Sequence, residues 1–154
     1  MPNRKILGIR TSPTEVRYAL LERHDDGSIE FLNRDTESKL QYPASHATTD
    51  AKLRWLKGEL DRIFRQSTSI SQMVIKTNEF AGSENKSKRE STYAEAVCIL
   101  AAAEQNVPVS CKLYSQIGST SAEAKHHAEE RVGRTDKYWD NKIADAVLAA
   151  FCVR

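Results

Sequence analysis

The feature that most constrains the fold is an amphipathic helix that separates two groups of strand-forming segments. Over residues 50–66 the apolar side chains recur with a 3.6-residue period, which predicts a helix with one buried face. Those side chains are Leu53, Leu56, Leu60, Ile63 and Phe64. Three segments before this helix have strand patterns, and strands alternate with helices after it. This order favours a layered α/β fold with helices packed on a sheet.

The segments before the helix predict a meander of three antiparallel strands. The apolar run 6–9 is short, as in a strand buried on both faces, and residues 16–22 are rich in strand formers. Residues 25–27 (DDG) predict a tight turn, because glycine readily adopts positive φ. Residues 28–33 then alternate apolar and polar side chains, as a half-buried strand does.

The segments after the helix alternate between strands and helices. Residues 71–76 predict a strand, and a polar, basic loop follows it. Ser87 and Glu90 have the spacing of a capping box, so we expect a second helix from there to about residue 105. Residues 109–114 predict another strand, and the apolar stripe over 136–153 predicts a final helix.

The complete order is β-β-β-α-β-α-β-α, in which the two later strands join the first in parallel through right-handed crossovers. This is the ribonuclease H-like arrangement. The sequence therefore predicts an α/β fold with a five-stranded mixed sheet and helices on both faces. We expect it to form a single domain over residues 1–154.

Charge and composition indicate where the protein is located, but they do not identify its binding partners. With 23 basic and 21 acidic residues the net charge is +2, so only local patches can indicate nucleic acid. The three cysteines are widely spaced, without the pairing typical of a zinc site or a disulfide framework. No segment resembles a signal peptide or a membrane span, so we expect a soluble, cytoplasmic protein with no membrane partner.

Several short segments, spread over nearly the whole chain, form a recognisable series. The first two strands contain ILGIR at residues 6–10 and YALLE at 18–22. Later come MVIK at 73–76, AEAVCIL at 94–100 before VPV at 107–109, and ADAVLAA at 144–150. In this order the segments together resemble RuvC-type Holliday junction resolvases. Residues 76–90, which include FAG at 80–82, resemble a small RuvC-like bacterial family more than the true resolvases.

The resemblance implies an acidic metal site, which this sequence does not reproduce. Resolvases of this type hold divalent metal with acids from the first strand, the strand after the first helix, and the last helix. At the matching positions this chain has Arg10, Lys76 and Lys142, and only Asp145 agrees. Hard cations need clustered oxygen ligands, and a guanidinium beside them repels the metal. We therefore predict a catalytically degenerate domain with no metal site and no cofactor.

The basic residues themselves suggest a binding function. Arg10 and Lys76 end adjacent central strands, where open α/β sheets usually bind ligands, and with Lys142 they are suited to phosphate. Three more basic residues lie at the start of the predicted second helix, where free N–H groups favour anions. They are Lys86, Lys88 and Arg89. The hypothesis is metal-independent binding of DNA, RNA or another phosphate-bearing ligand.

Two other functions fit the same residues. An active endonuclease would use the displaced acids Glu79 and Asp145 with magnesium or manganese; Asp140 would face about 140° away from Asp145 on the last helix. A protein-interaction scaffold would retain only the fold, with Arg10 and Asp145 as an internal ion pair. By analogy with resolvase dimers, the alanine-rich helix over 94–104 packs on the sheet or against a second copy, so a homodimer is also open.

Overall fold

A computed structural model describes residues 2–154 and confirms the predicted α/β fold. The described part of the chain contains six strands and five helices. They are β1 (Arg4–Thr11), β2 (Glu15–Arg23), β3 (Ile29–Phe31), β4 (Lys39–Gln41), α1 (Thr49–Gln66), β5 (Ile70–Lys76), α2 (Lys86–Glu104), β6 (Val109–Lys112), α3 (Tyr114–Ile117), α4 (Ala124–Val132) and α5 (Asn141–Phe151).

The sheet is mixed, with the strand order β3-β2-β1-β5-β6. β1 is antiparallel to β2 and parallel to β5, and β5 is parallel to β6. The short strand β4 pairs with the first part of β2, while β3 pairs with its last part. Strand β4 was not predicted, because its three residues contain one apolar side chain and offer no periodicity to detect.

Asn33 fills the gap between β3 and β4 on the edge of β2. Its Oδ1 accepts a hydrogen bond from the Leu20 backbone N–H at 2.7 Å. Its Nδ2 donates to the carbonyls of Tyr18 at 3.0 Å and Glu37 at 2.9 Å. One buried amide thus satisfies backbone groups of β2 that neither short strand reaches, which holds the outer edge of the sheet together.

Helices cover both faces of the sheet, as the sequence predicted. α1 and α2 pack on one face, where Leu7 and Ile9 of β1 are fully buried. α4 and α5 pack on the other face, which Ile6 joins. Because successive side chains of a strand point to opposite faces, Gly8 and Arg10 share the α5 side with Ile6.

Gly8 sets the distance between β1 and α5. A β-carbon at this position would lie 1.9 Å from the Ala146 carbonyl oxygen and 2.9 Å from the Ala150 β-carbon. Glycine is therefore required here by close backbone approach. This approach brings the first turns of α5 onto the carboxyl end of β1.

Two predicted helix starts were wrong. The last helix begins at Asn141, and Asp140 is its N-cap, with Oδ1 accepting from the Ile143 N–H at 3.1 Å. The second helix begins at Lys86 with Asn85 as N-cap, so Ser87 does not cap it. The helices α3 and α4 were not predicted. Within residues 2–154, no helix is long and apolar enough to cross a membrane.

Candidate functional site

One rung of the sheet carries a basic residue on each of five neighbouring strands. In the register, Lys39 faces Arg17, Arg17 faces Arg10, and Lys76 faces Lys112. Arg10 and Lys76 directly follow the paired residues of β1 and β5, so they are neighbours too. We call Lys39, Arg17, Arg10, Lys76 and Lys112 the basic row. Like charges on neighbouring strands destabilise a sheet, so this row needs anions to offset it.

Acidic side chains from adjoining segments offset four members of the basic row. The pairs are Arg17 with Asp140 at 2.9 Å, Arg10 with Asp145 at 3.2 Å, Lys39 with Glu15 at 3.5 Å, and Lys76 with Glu79 at 3.6 Å. The resemblance implies acids at the carboxyl ends of the strands at this edge, whereas here those positions carry cations. Three of the acids that offset them come from α5, its N-cap and the loop after β5, and the fourth, Glu15, is the first residue of β2. The local charge pattern is thus the inverse of a metal site.

Asp145 is the most enclosed acid of this cluster. It is 2% exposed, and besides Arg10 it accepts a hydrogen bond from the Tyr114 hydroxyl, which lies 2.8 and 3.0 Å from its two oxygens. Burial raises the pKa of Asp145, although Tyr114 and Arg10 act in the opposite direction. Burial and the nearby carboxylate raise the pKa of Tyr114 to about 12, so its hydroxyl keeps its proton at neutral pH.

Lys76 is fully buried, which is unusual for a lysine. Its ammonium group donates to the Thr77 carbonyl and lies 3.9 Å from the centre of the Tyr114 ring. Burial lowers the pKa of Lys76 and Arg10 lowers it further, while Glu79 and Asp145 oppose them. An anionic ligand therefore cannot reach this ammonium without a local rearrangement.

The sequence interpretation missed Glu95. This residue of α2 is 7% exposed, and its Oε2 accepts from the Thr77 hydroxyl at 3.1 Å, while its buried Oε1 has no hydrogen-bond partner. Burial raises the pKa of Glu95. The signal was its position one turn after Ser91 and one turn before Cys98, which places it on the buried face of the helix.

The other predicted phosphate-binding residues form contacts with partners other than Asp145. Lys142 binds Glu15 at 2.9 Å. Lys88 donates to the carbonyls of Ala81 and Ser83 in the loop before α2. Arg89 pairs with Glu84 at 2.8 Å, and Lys86 is 90% exposed at 4.0 Å from Glu90. The structure thus brings together Arg10, Lys76, Glu79 and Asp145, whereas the four other predicted residues bind partners outside this cluster.

The residues present do not suit the divalent metal ions that the resemblance implies. Within residues 2–154, Asp145, Glu79 and Glu95 form no set of three ligand atoms close enough to share one ion. Both oxygens of Asp145 already contact Tyr114, and Arg10 contacts one of them. A divalent ion would also face the guanidinium of Arg10 and the ammonium of Lys76 at short range, which is unfavourable.

Two exposed aromatic side chains adjoin this charged cluster. Phe80 is 86% exposed in the loop 77–85, which lines a cavity of about 250 Å³ together with Lys88 and Thr92 of α2. Tyr138 is 59% exposed, has a positive φ of 59°, and lies under the ammonium of Lys39, 4.2 Å from its ring centre. Its carbonyl accepts from the buried Arg17, which fixes this segment to the basic row.

The fold is shared with solved structures of Holliday junction resolvases. "Thermus thermophilus RuvC structure" has a TM-score of 0.78 at 13% identity, over 96% of this chain and 92% of that chain. "T. thermophilus RuvC in complex with Holliday junction substrate" has a TM-score of 0.77 at 13% identity, over 97% and 91%. The yeast mitochondrial resolvase Ydc2 has a TM-score of 0.60 at 11% identity, over 98% and 79%. No protein-family model and no curated protein sequence matches the chain.

Proposed function

Because this chain has the RuvC-like form of the ribonuclease H-like fold, we propose that it binds nucleic acid without metal and without cleaving it. The observation that carries the proposal is the basic row, which occupies the edge where open α/β sheets usually bind ligands. A row of cations along one edge suits a polyanion better than a small metal ion.

The proposed contacts are made by the accessible cations of this edge, since the central ones are buried in ion pairs. Lys86 is nearly fully exposed and Lys142 is 41% exposed, so both can contact phosphate without unfolding the cluster. The loss of each phosphate contact weakens binding and lowers its salt dependence. Arg10 and Lys76 are in ion pairs with Asp145 and Glu79, so they add less to the positive potential at this edge than the exposed lysines do.

Phe80 and Tyr138 are the proposed stacking residues. Exposed aromatic rings beside basic side chains can stack on unpaired bases of single strands or branch points. Each stacking contact contributes about 1–3 kcal/mol to the binding free energy. A similar protein was solved with a Holliday junction, so a four-way DNA junction is the first substrate to test. Duplex DNA and single-stranded RNA distinguish shape recognition from general phosphate binding.

The experiment is fluorescence anisotropy with labelled junction, duplex DNA and single-stranded RNA at low salt, in EDTA or with Mg²⁺ or Mn²⁺. We expect binding in EDTA that falls steeply with salt, and intact substrate after incubation with either metal. Metal-dependent cleavage that disappears in Asp145→Asn, and weakens in Glu79→Gln, would instead establish an endonuclease with displaced acids. Absence of binding at low salt would overturn the proposal and favour the third function, a protein-interaction scaffold.

The variants are placed at exposed positions, because a substitution at a buried position could weaken binding simply by destabilising the fold. Lys86→Gln and Lys142→Gln should each weaken binding several-fold, and Phe80→Ala should weaken junction binding about tenfold with little change in salt dependence. Arg65→Gln is the matched control, since this exposed residue lies in the last turn of α1, just before β5 begins at the other end of the sheet. Equal losses in Arg65→Gln would show that only net charge matters.

We also propose that the protein is a cytoplasmic homodimer that uses α2. The exposed side of this helix carries a stripe of apolar residues: Tyr93, Ala96, Ile99, Leu100 and Ala103. A stripe of small and branched side chains suits close packing of a second copy of the same helix. Light scattering should give twice the chain mass, and Leu100→Glu should halve it. An unchanged mass in Leu100→Glu would place the interface elsewhere.

A further inference from the structure

The turn between β2 and β3 brings together two glutamates and a histidine. His24 Nε2 lies 3.3 Å from Glu30 Oε2 and 4.0 Å from Glu22 Oε2, and the three ligand atoms all lie within 4.8 Å of one another. Within residues 2–154 this is the one set of three such side chains with that geometry. It lies near the start of β1, at the other end of the sheet from Arg10.

The strand register forces the two carboxylates to face each other. Glu22 and Glu30 are direct cross-strand partners in the β2–β3 pair, and like charges directly opposite destabilise a hairpin. Lys5 of β1 faces Glu22 from the other side, but its ammonium donates to the Thr68 carbonyl at 3.3 Å and forms no ion pair with Glu22. Among residues 2–154, His24 is thus the one basic side chain in contact with both acids.

The backbone of the turn holds His24 in place. Its N–H donates to the Ser28 carbonyl and its carbonyl accepts from the Gly27 N–H, each at 2.9 Å. Asp26 Oδ1 accepts from both the N–H and the hydroxyl of Ser28, at 2.8 and 2.6 Å. The imidazole is therefore presented by an ordered turn, and Glu22 is fixed in a paired strand. Such preorganisation lowers the cost of binding.

We propose that Glu22, His24 and Glu30 bind one zinc ion, through Oε2, Nε2 and Oε2 respectively. A tetrahedral zinc site with bonds near 2.1 Å needs ligand atoms about 3.4 Å apart. The His24–Glu30 separation of 3.3 Å already matches, and the other two, 4.0 Å and no more than 4.8 Å, can shorten by rotation of the flexible glutamate side chains. One imidazole with two carboxylates suits zinc or a similar transition-metal ion better than magnesium. Three protein ligands leave a fourth position for water.

The proposed ion would join the edge strand β3 to β2. It would replace the repulsion between Glu22 and Glu30 with two favourable contacts, so the folded state gains stability with zinc concentration. At a free zinc concentration about one hundred times the Kd, the melting temperature should rise by about 5–10 °C for a chain of this size. The effect is independent of nucleic-acid binding at the opposite end of the sheet.

The test is isothermal titration of the EDTA-stripped and desalted full chain with zinc chloride, together with thermal melts. The expected result is one zinc per chain, with a rise in melting temperature that EDTA reverses. His24→Gln should abolish both, and Glu30→Gln should weaken binding at least tenfold. Each variant should melt within a few degrees of the metal-free parent, because these side chains are partly exposed.

Helix α4 supplies a matched control with the same residue types. His126 lies 3.1 Å from Glu130, and His127 lies 3.4 Å from Glu123, and neither pair has a third ligand among residues 2–154. The double variant His126→Gln/His127→Gln should keep the full zinc response. Loss of the response in this double variant, or its persistence in His24→Gln, would overturn the proposal. So would a parent protein that binds no zinc.

Discussion

The two ends of the sheet contain carboxylate clusters with opposite electrostatic settings. At the carboxyl end of β1, Asp145 and Glu79 lie against Arg10 and Lys76, cations built into the strands. At the opposite end, the carboxylates of the β2–β3 hairpin face each other with a single imidazole between them. Nearness of acids alone therefore does not define a metal site. The charge that the chain itself supplies decides whether an added cation is favourable.

The two ends also differ in how far their charged side chains are buried, and this decides what a substitution should change. Charges at the basic row are largely withdrawn from water, so its ion pairs contribute little net stability although breaking one is costly. The hairpin cluster of Glu22, His24 and Glu30 is partly exposed, so substitutions there should change the stability of the fold only slightly. Substitutions in the buried ion pairs of the first end should accordingly change folding stability, whereas substitutions in the hairpin cluster should change metal binding with little effect on the metal-free protein.

The largest expected effect comes from separating α5 from β1. Gly8→Ala places a β-carbon against the Ala146 carbonyl, so the helix that carries Asp145 must move away from Arg10. We expect a loss of about 4 kcal/mol in unfolding free energy, measured by urea denaturation. Gly58→Ala on the exposed side of α1 is the control: nothing lies within 4 Å of the new β-carbon. It should gain about 1 kcal/mol. A loss below 1 kcal/mol for Gly8→Ala would contradict the close contact.

The next largest effect is expected from breaking the Arg10–Asp145 ion pair, which would compete with a bound metal ion. Arg10→Met leaves Asp145 buried without its cation and should lower the unfolding free energy by about 3 kcal/mol. Asp145→Asn should lower it by about 2 kcal/mol, because the Arg10 side chain is 18% exposed and partly reaches water. The double variant should cost much less than the sum, since it removes both charges. A double-mutant cycle in urea measures this coupling. Additive losses would mean that the two side chains do not interact in solution.

The neighbouring positions of Arg10 and Lys76 followed from the sequence, because both end strands that the order β-β-β-α-β-α makes adjacent. The remaining members of the basic row did not, since Arg17 and Lys112 join it only through the pairing register. Continuous apolar strands such as β1 carry little register information. The opposition of Glu22 and Glu30 depends on register in the same way, which is why the hairpin cluster was missed.

Other differences arose where local signals were weak. The stripe predicted over 136–153 extended five residues too far, because Trp139 fits the helical period although Tyr138 has positive φ and Asp140 caps the helix. Ser87 and Glu90 matched a capping box, but Asn85 is the better acceptor for the first turn. Glu95 was overlooked because a single acid on an alanine-rich helix is usually solvated.

Lys76→Met removes the buried ammonium group and replaces it with an apolar side chain of similar length. Burial and Arg10 lower the pKa of Lys76, so the folded state disfavours its charge, and the variant should be about 1 kcal/mol more stable at pH 7. The parent gains stability as pH rises from the lowered pKa towards 10.5, where the unfolded chain is still protonated. The advantage of the variant should therefore shrink as the pH rises above the lowered pKa of Lys76 towards 10.5. An advantage that does not change with pH would mean that Lys76 titrates normally.

An effect no larger than that of Lys76→Met is expected at Glu95, whose pKa is raised by burial. Its protonated form stabilises the folded state below pH 4.5, and this contribution is lost as pH rises through the raised pKa. Glu95→Gln keeps an acceptor for the Thr77 hydroxyl but carries no charge, so it should match the parent near pH 4 and exceed it by about 1 kcal/mol at pH 7. Glu129→Gln, exposed on α4, should stay within about 0.5 kcal/mol throughout. If Glu95→Gln instead destabilises the protein at pH 7, the Glu95 carboxylate is ionised and stabilising, and the positive potential of Arg10 and Lys76 outweighs its burial.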